Sequence, residues 1–317
     1  MQWLSGLNFI NKHSAYLLIA ACLAGFAMPE ASNALLPKLP VVLFFLMFFT
    51  LLGMNQPKLL KVLAWPMVWR YAVFHTLGMS ILFVGTAFLL GLRGENLLAL
   101  AGVTATGALF GTPAIVRSIG VAHRENETPA PMVAMALTIA STILMPVVLL
   151  VNLWLCASTA TGAIELDWAL YGERLLIFIA GPMLLSFIVH SLFDEGTLHR
   201  VHAPLSKVTI VLLACFPFGL VGAFREYVNR DWSHGVLFLL GAVFVCFALF
   251  AFMLWWYRAS PMALRVSAAV ASGGRNVLLT HTVAGVFLGS AFLPLIGAMQ
   301  LPVYALPLVV RWWMGRK

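Results

Sequence analysis

Apolar residues in this chain come in long runs separated by short polar clusters, and the runs are about as long as a helix needs to be to cross roughly 30 Å of hydrocarbon, near 20 residues. Ten crossings can be drawn, with approximate centres near Leu23, Met47, Leu82, Thr106, Ile143, Met183, Leu213, Val245, Asn276 and Leu301. The separators are short polar turns such as MNQPK, LRGEN and AHRENETPAP. None of them is large enough for a separate domain. The pattern therefore predicts an all-α polytopic membrane protein with one membrane domain.

Two of the ten runs are interrupted. The fourth breaks at Gly111-Thr112-Pro113 and the ninth at Gly273-Gly274, which is the fourth position of the second set of five. Five crossings per half put the halves in opposite orientations, so the matching breaks predict an inverted repeat with a discontinuous helix in each half. Residues 1–160 form the first five-helix repeat and 161–317 the second. At the first break, proline suits the opening turn of a helix, where its missing N–H is not needed, and Thr112 is a suitable cap before it. At the second, Gly273 and Gly274 permit unwound backbone, and Ser272 or Asn276 is placed to cap the half-helix that follows.

Arg275 projects from that second gap. An arginine at the centre of a span costs about 2.5–3.5 kcal/mol on insertion scales, so it is expected to face a polar interior and to have a partner. The eleven acidic residues, Glu30, Glu95, Glu125, Glu127, Glu165, Asp167, Glu173, Asp194, Glu195, Glu226 and Asp231, all fall in predicted loops or at span edges. The remaining candidates are backbone carbonyls, water, or an anion arriving from outside. A guanidinium fork suits a carboxylate, sulfonate or phosphate, and two helix N-termini converging there add to that preference. Arg275, Asn276 and Thr112 are the candidate substrate site, with Thr104, Thr106, Ser272, Thr280 and His281 as secondary contacts. The plainer alternative is an Arg275 that only stitches loose carbonyls at the break.

Composition sharpens this picture. The chain is 62% hydrophobic and 9% charged, with a mean hydropathy of +0.97, far from the roughly 25% charged of soluble domains. Of the 19 Lys and Arg residues, thirteen fall on the side that holds both termini and five on the other, with Arg275 between them. The positive-inside bias makes that side cytoplasmic, which predicts an integral plasma-membrane protein (the inner membrane, if the cell is Gram-negative). Nine tryptophans near span ends read as interfacial anchors. The basic residues are scattered singly, which argues against nucleic acid.

The N-terminus lacks the pattern of a removable signal, so the first span is expected to stay. Cys22, Cys156, Cys215 and Cys246 form no ligand spacing, and no HExxH links His75, His190 and His281, so no metal and no cofactor is expected. His281, six residues beyond Arg275, is the candidate carrier of a coupled proton. The GxxxG pairs Gly107–Gly111 and Gly285–Gly289 read as close internal packing.

In order and spacing, LMFFTLLGMNQPKLLKVLAWP, GTPAIVRSIG followed by PMVAMALTIASTILMP, SGGRNVLLT and MQLPVYALPLVVR resemble the bile acid:sodium symporter superfamily along nearly the whole chain. The resemblance implies ten helices in two inverted five-helix repeats, with the fourth and ninth broken and crossed. It also implies sodium held by a glutamate in a Glu-x-Gly-x-Gln-Asn pattern, by a Ser-Asn pair at the fourth helix, and by hydroxyls of the fifth. Here the first stretch looks like Ala271-Ser272-Gly273-Gly274-Arg275-Asn276 and the pair falls on Ala114-Ile115, while Thr138, Ser141 and Thr142 remain as fifth-helix hydroxyls.

The usual sodium cage is thus missing its glutamate and has gained a fixed positive charge. A guanidinium about 5 Å from sodium costs on the order of 3 kcal/mol at an effective dielectric near 20. The expectation is a carrier of a small organic anion that works by alternating access in the lipid bilayer without the usual sodium site, as a uniporter, exchanger or proton-coupled system. The alternatives are a sodium-coupled bile-acid-like symporter and a non-transporting receptor or scaffold. A membrane-embedded enzyme lacks any nucleophile–base or carboxylate pair to support it.

Overall fold

The computed structural model describes residues 13–121, 128–157, 166–193 and 195–314. The expected boundary between the repeats, at residues 160 and 161, and both chain termini lie outside these residues. In chain order the helices are α1 (Ser14–Ala27), α2 (Pro29–Leu52), α3 (Gln56–Leu63), α4 (Pro66–Leu89), α5 (Gly94–Ala105), α6 (Thr112–Ile119), α7 (Ala130–Ala157), α8 (Trp168–Leu192), α9 (Glu195–Arg230), α10 (Trp232–Trp256), α11 (Met262–Gly273), α12 (Val277–Phe287) and α13 (Phe292–Met314). No strand occurs among the described residues. Two helices widen to π-helical turns, α4 over Phe74–Gly78 and α8 over Leu176–Ala180.

Seven helices are long and apolar enough to cross a bilayer: α2, α4, α7, α8, the Val208–Arg230 part of α9, α10 and α13. With α1, α11 and α12 as shorter apolar helices, this is a membrane protein. All ten centres read from the hydropathy fall within a helix or at one of two gaps, residues 106–111 and 274–276. Trp168 and Trp232 open their helices and Trp256 closes one, all of them exposed, as interfacial anchors do.

Local sequence explains the helix ends. Asn55, Asp167, Asp231 and Asn276 each accept a hydrogen bond from a first-turn N–H, those of Lys58, Leu170, His234 and Leu279, the standard way to satisfy a donor that has no intrahelical partner. At the exposed Asp231, bonds from the His234 backbone and side chain and from Ser233 hold the carboxyl down to about 2.

Two expectations need correction. The MNQPK cluster is not merely a turn: Asn55 caps α3, an amphipathic helix that buries Leu59 and Val62 and exposes Lys58 and Lys61. Likewise Gly285–Gly289 does not lie on one continuous helix, because α12 ends there in a 3-10 turn and Gly289 adopts φ 74°, a left-handed conformation that glycine tolerates best; the packing is still close, since a Cβ on Gly289 would stand 3.2 Å from Glu95 Cγ.

The helix α7 forms the central pillar, packing against α3, α4, α5, α6 and α11. In its first half, Ala134 to Leu137 are fully buried. On one flank α9 runs against α1, α2 and α13, while α8 leans on α2. A Cβ on Gly25 would fall within 3 Å of the Phe218 backbone, so α1 and α9 approach closely through a small residue, as membrane helices do. The two gaps meet beside α7.

Candidate functional site

The gaps satisfy each other. In bilayer surroundings an unwound backbone is tolerable only if its polar groups find partners, and here Leu109 N donates to Gly274 O (2.8 Å) while Asn276 N donates to Gly107 O (2.8 Å). Ala108 and Arg275 therefore face each other in a short antiparallel bridge. Thr106, extended at φ −62° and ψ 147°, turns the chain out of α5.

Beyond the gap, Pro113 lies in the first turn of α6, where its missing N–H costs nothing. Thr112 does not cap that helix, contrary to expectation. Gly111 holds the cap position, and the Thr112 hydroxyl donates back to Leu109 O (2.6 Å), a carbonyl that also accepts from Thr112 N (2.9 Å).

Glycine serves here for close approach rather than for unusual dihedrals, since Gly107, Gly111, Gly273 and Gly274 all have negative φ. A Cβ on Gly107 would stand 2.9 Å from Thr142 N and 3.0 Å from Thr142 Cα. The crossing thus presses directly on the α7 main chain. One on Gly111 would meet the Leu213 side chain at 2.7 Å, and one on Gly273 would meet Leu306 at 2.8 Å. The Gly107–Gly111 pair packs closely, as its spacing suggests.

Arg275 is 1% exposed. Its Nη1 donates to Thr104 O (2.8 Å), Thr106 O (3.2 Å) and Val103 O (3.4 Å), and its Nη2 to His75 O (3.0 Å). Three of these carbonyls belong to the C-terminal end of α5 and the turn leaving it, where the helix dipole is negative and a cation is favoured. The fourth comes from the π-helical turn of α4, a local widening of a kind that recurs at functional sites. All four partners are main-chain carbonyls, and Nε has none.

A buried polar network extends from this point. His75 Nδ1 lies 3.1 Å from both Tyr71 OH and Ser272 Oγ. Ser272 Oγ also donates to Tyr71 OH (3.2 Å), and the Tyr71 and His75 rings stack at 5.1 Å. On the far side, Asn152 Nδ2 donates to Ser80 Oγ (3.0 Å) and Ala101 O (2.9 Å), and Ser80 Oγ reaches Thr104 Oγ1 (3.4 Å). Together these bonds join α4, α5, α7 and α11. From α7, Ser141 Oγ accepts from Ala108 N (3.0 Å) and donates to Thr138 O (3.0 Å). Ser141→Ala leaves a buried N–H without an acceptor, so unfolding measured by heat or denaturant should show a loss of about 1–3 kcal/mol. Thr138→Ala, which removes only a bond to its own helix at Ala134 O, should cost less.

Among the sequence-derived candidates, Arg275, Asn276, Ser272, Thr104 and Thr106 come together at the crossing. Asn276, not Ser272, caps α12. Thr280 sits one turn into α12, buried, with its hydroxyl unpartnered. His281 turns instead towards Phe292, stacking at 6.3 Å, and towards Gly285, so the histidine at the crossing is His75. His190 is engaged through both ring nitrogens, to Ser186 O and Met54 O among others. Tyr71, Ser80 and Asn152 were missed; the signal that marks them is a polar side chain in an otherwise apolar span.

Three nitrogens at or beside the crossing are buried without a partner: Arg275 Nε, Asn276 Nδ2 and His75 Nε2. The first two can only donate. Among the described residues no group of three or more His, Cys, Asp or Glu side chains is placed to hold a metal ion. In comparisons with known proteins, no family model matches the chain and no curated protein does.

Proposed function

We propose that this membrane protein is a secondary carrier of a small organic anion, built as ten crossings in two inverted five-helix repeats, with the crossed gaps as its substrate centre. The observation that carries the reading is a guanidinium buried where two interrupted helices meet, compensated by carbonyl dipoles and, among the described residues, by no carboxylate. Dipoles stabilise the charge but do not cancel it. The crossing retains a net positive charge, and the unpartnered donors Arg275 Nε and Asn276 Nδ2 are the chemical complement of a carboxylate or sulfonate oxygen.

The guanidinium also fills the role that a coupling cation would take. Unwound carbonyls and the C-terminal end of a half-helix coordinate sodium in carriers of this general construction; here they bind Arg275. Transport is therefore independent of sodium at the crossing. Any coupled proton has His75 and, more remotely, His281 as acceptors.

Ser272, Arg275 and Asn276 are shut off from solvent, which fits an occluded state. Exchange with either side requires one group of helices to move against another. In this reading the protein sits in the plasma membrane with both termini cytoplasmic, on the strength of its charge bias.

Uptake into proteoliposomes tests the proposal with a panel of labelled carboxylates and sulfonates, measured as counterflow in sodium and in choline. Saturable exchange of at least one anion, equal in the two salts, is the expected result. A steep sodium dependence would overturn the sodium-free mechanism, and binding without flux would make the protein a receptor.

A further inference from the structure

On the outer surface, α4 and the end of α10 enclose a groove of about 790 Å³. Its walls include Val73, Leu77 and Ile81 along α4 and Trp256 and Tyr257 from α10, with Arg70 at one end. Its floor is aromatic: Phe74, Phe252 and Trp256 cluster with ring centroids 5.3, 5.4 and 5.6 Å apart. Val73, Leu77, Ile81 and Trp256 are all well exposed, and nothing else in the described chain covers them.

The charged end is one-sided. Residues 55–72 and 253–268 carry Lys58, Lys61, Arg70, Arg258 and Arg265 and no acidic residue. Arg265 is committed to Leu254 O (2.9 Å), and Arg258 lies over the Trp255 ring at 5.2 Å. Arg70 is exposed and makes no ion pair with a described carboxylate. The apolar length from Arg70 to Ile81 is eleven helical steps, about 16 Å, close to half of a roughly 30 Å hydrocarbon core. A basic headgroup contact followed by one leaflet's depth of apolar wall has the form of a phospholipid.

We propose that this groove is a binding site for an anionic phospholipid, with the phosphate on Arg70 and an acyl chain lying along Val73, Leu77 and Ile81. The assignment does not depend on what the protein transports. Phe74 and Gly78, which border the groove, belong to the same π-helical turn as His75, whose carbonyl holds Arg275. The lipid thus rests on the outside of a turn whose inside supports the crossing.

Native mass spectrometry and thermal unfolding of the full chain in phosphatidylcholine nanodiscs, with and without added phosphatidylglycerol, test this. Phosphatidylglycerol should be retained on the protein and should raise the unfolding temperature. Arg70→Gln should weaken retention about fivefold, the effect of one basic residue near an anionic surface. Ile81→Trp, at a position 66% exposed and so without consequence for the core, should block the chain and abolish retention. Arg230→Gln, away from the groove, should change nothing. The proposal fails if phosphatidylcholine is retained equally, if the Arg70 and Ile81 variants bind as the unaltered protein does, or if inorganic phosphate gives the same stabilisation without a chain.

Discussion

Arg275→Met should destabilise the protein by about 3–5 kcal/mol, because it takes a hydrogen-bond donor from several buried carbonyls at once. The carbonyls of Thr104, Thr106 and His75 each lose the Arg275 donor at once, while Val103 O keeps the N–H and hydroxyl of Thr106. Each unsatisfied buried group costs about 1–3 kcal/mol; water entering the gap and relief of the buried charge offset part of the sum. Arg275→Lys keeps the charge but not the flat fork, so it should fall between methionine and the unaltered protein. Arg275→Gln is the informative variant, because an amide still donates to one or two of the carbonyls while carrying no charge. Thermal unfolding with and without carboxylates and sulfonates separates the two roles of the side chain. An anion-dependent shift should be present in the unaltered protein and gone in Arg275→Gln. If the shift survives that substitution, Arg275 is a stitch between helices and the anion binds elsewhere.

Much of this geometry could be read along the chain. Gly111-Thr112-Pro113 and Gly273-Gly274 mark both gaps, because proline and glycine act on the backbone of the segment that contains them. Asn276 as a cap follows from equally local chemistry. That the charge of Arg275 would meet no described carboxylate followed from simple elimination, since the hydropathy pattern puts all eleven acids at predicted span edges or in predicted loops. Which carbonyls would receive it was not legible. His75 and Arg275 are 200 residues apart in sequence, and that pairing depends on a π-helical turn with no marked residue pattern. Tyr71, Ser80 and Asn152 stayed hidden for a related reason: a lone hydroxyl or amide in an apolar run reads equally well as a side chain bonded to its own helix, as Thr76 in fact is to Ala72 O. Thr112 shows the converse error. Its position suited a cap, but the hydroxyl turns back to Leu109 O, which takes the Thr112 N–H as well.

Gly107→Ala should be the most damaging of the single-methyl changes at the crossing glycines Gly107, Gly111 and Gly273, costing about 1–3 kcal/mol in stability and most of any flux. The reason lies in what the new Cβ would strike. At Gly111 and Gly273 the nearest atoms are the ends of the Leu213 and Leu306 side chains, which can rotate away. At Gly107 they are the N and Cα of Thr142, at 2.9 and 3.0 Å, main-chain atoms in the middle of the central helix. Relief must come from the crossing itself, which would lift from α7 and stretch both the Ala108–Ser141 bond and the Asn276–Gly107 bond. Gly85→Ala and Gly241→Ala provide the comparison: a Cβ at either meets no atom within 4 Å, and in a helix the lost freedom of the unfolded chain should make these variants neutral or about 0.4–1 kcal/mol more stable. Unfolding of the three variants side by side therefore reads contact geometry rather than glycine content. A Gly107→Ala protein as stable as the Gly85 and Gly241 variants would mean that the crossing does not bear on α7, and the close meeting of the two gaps would have to be abandoned along with it.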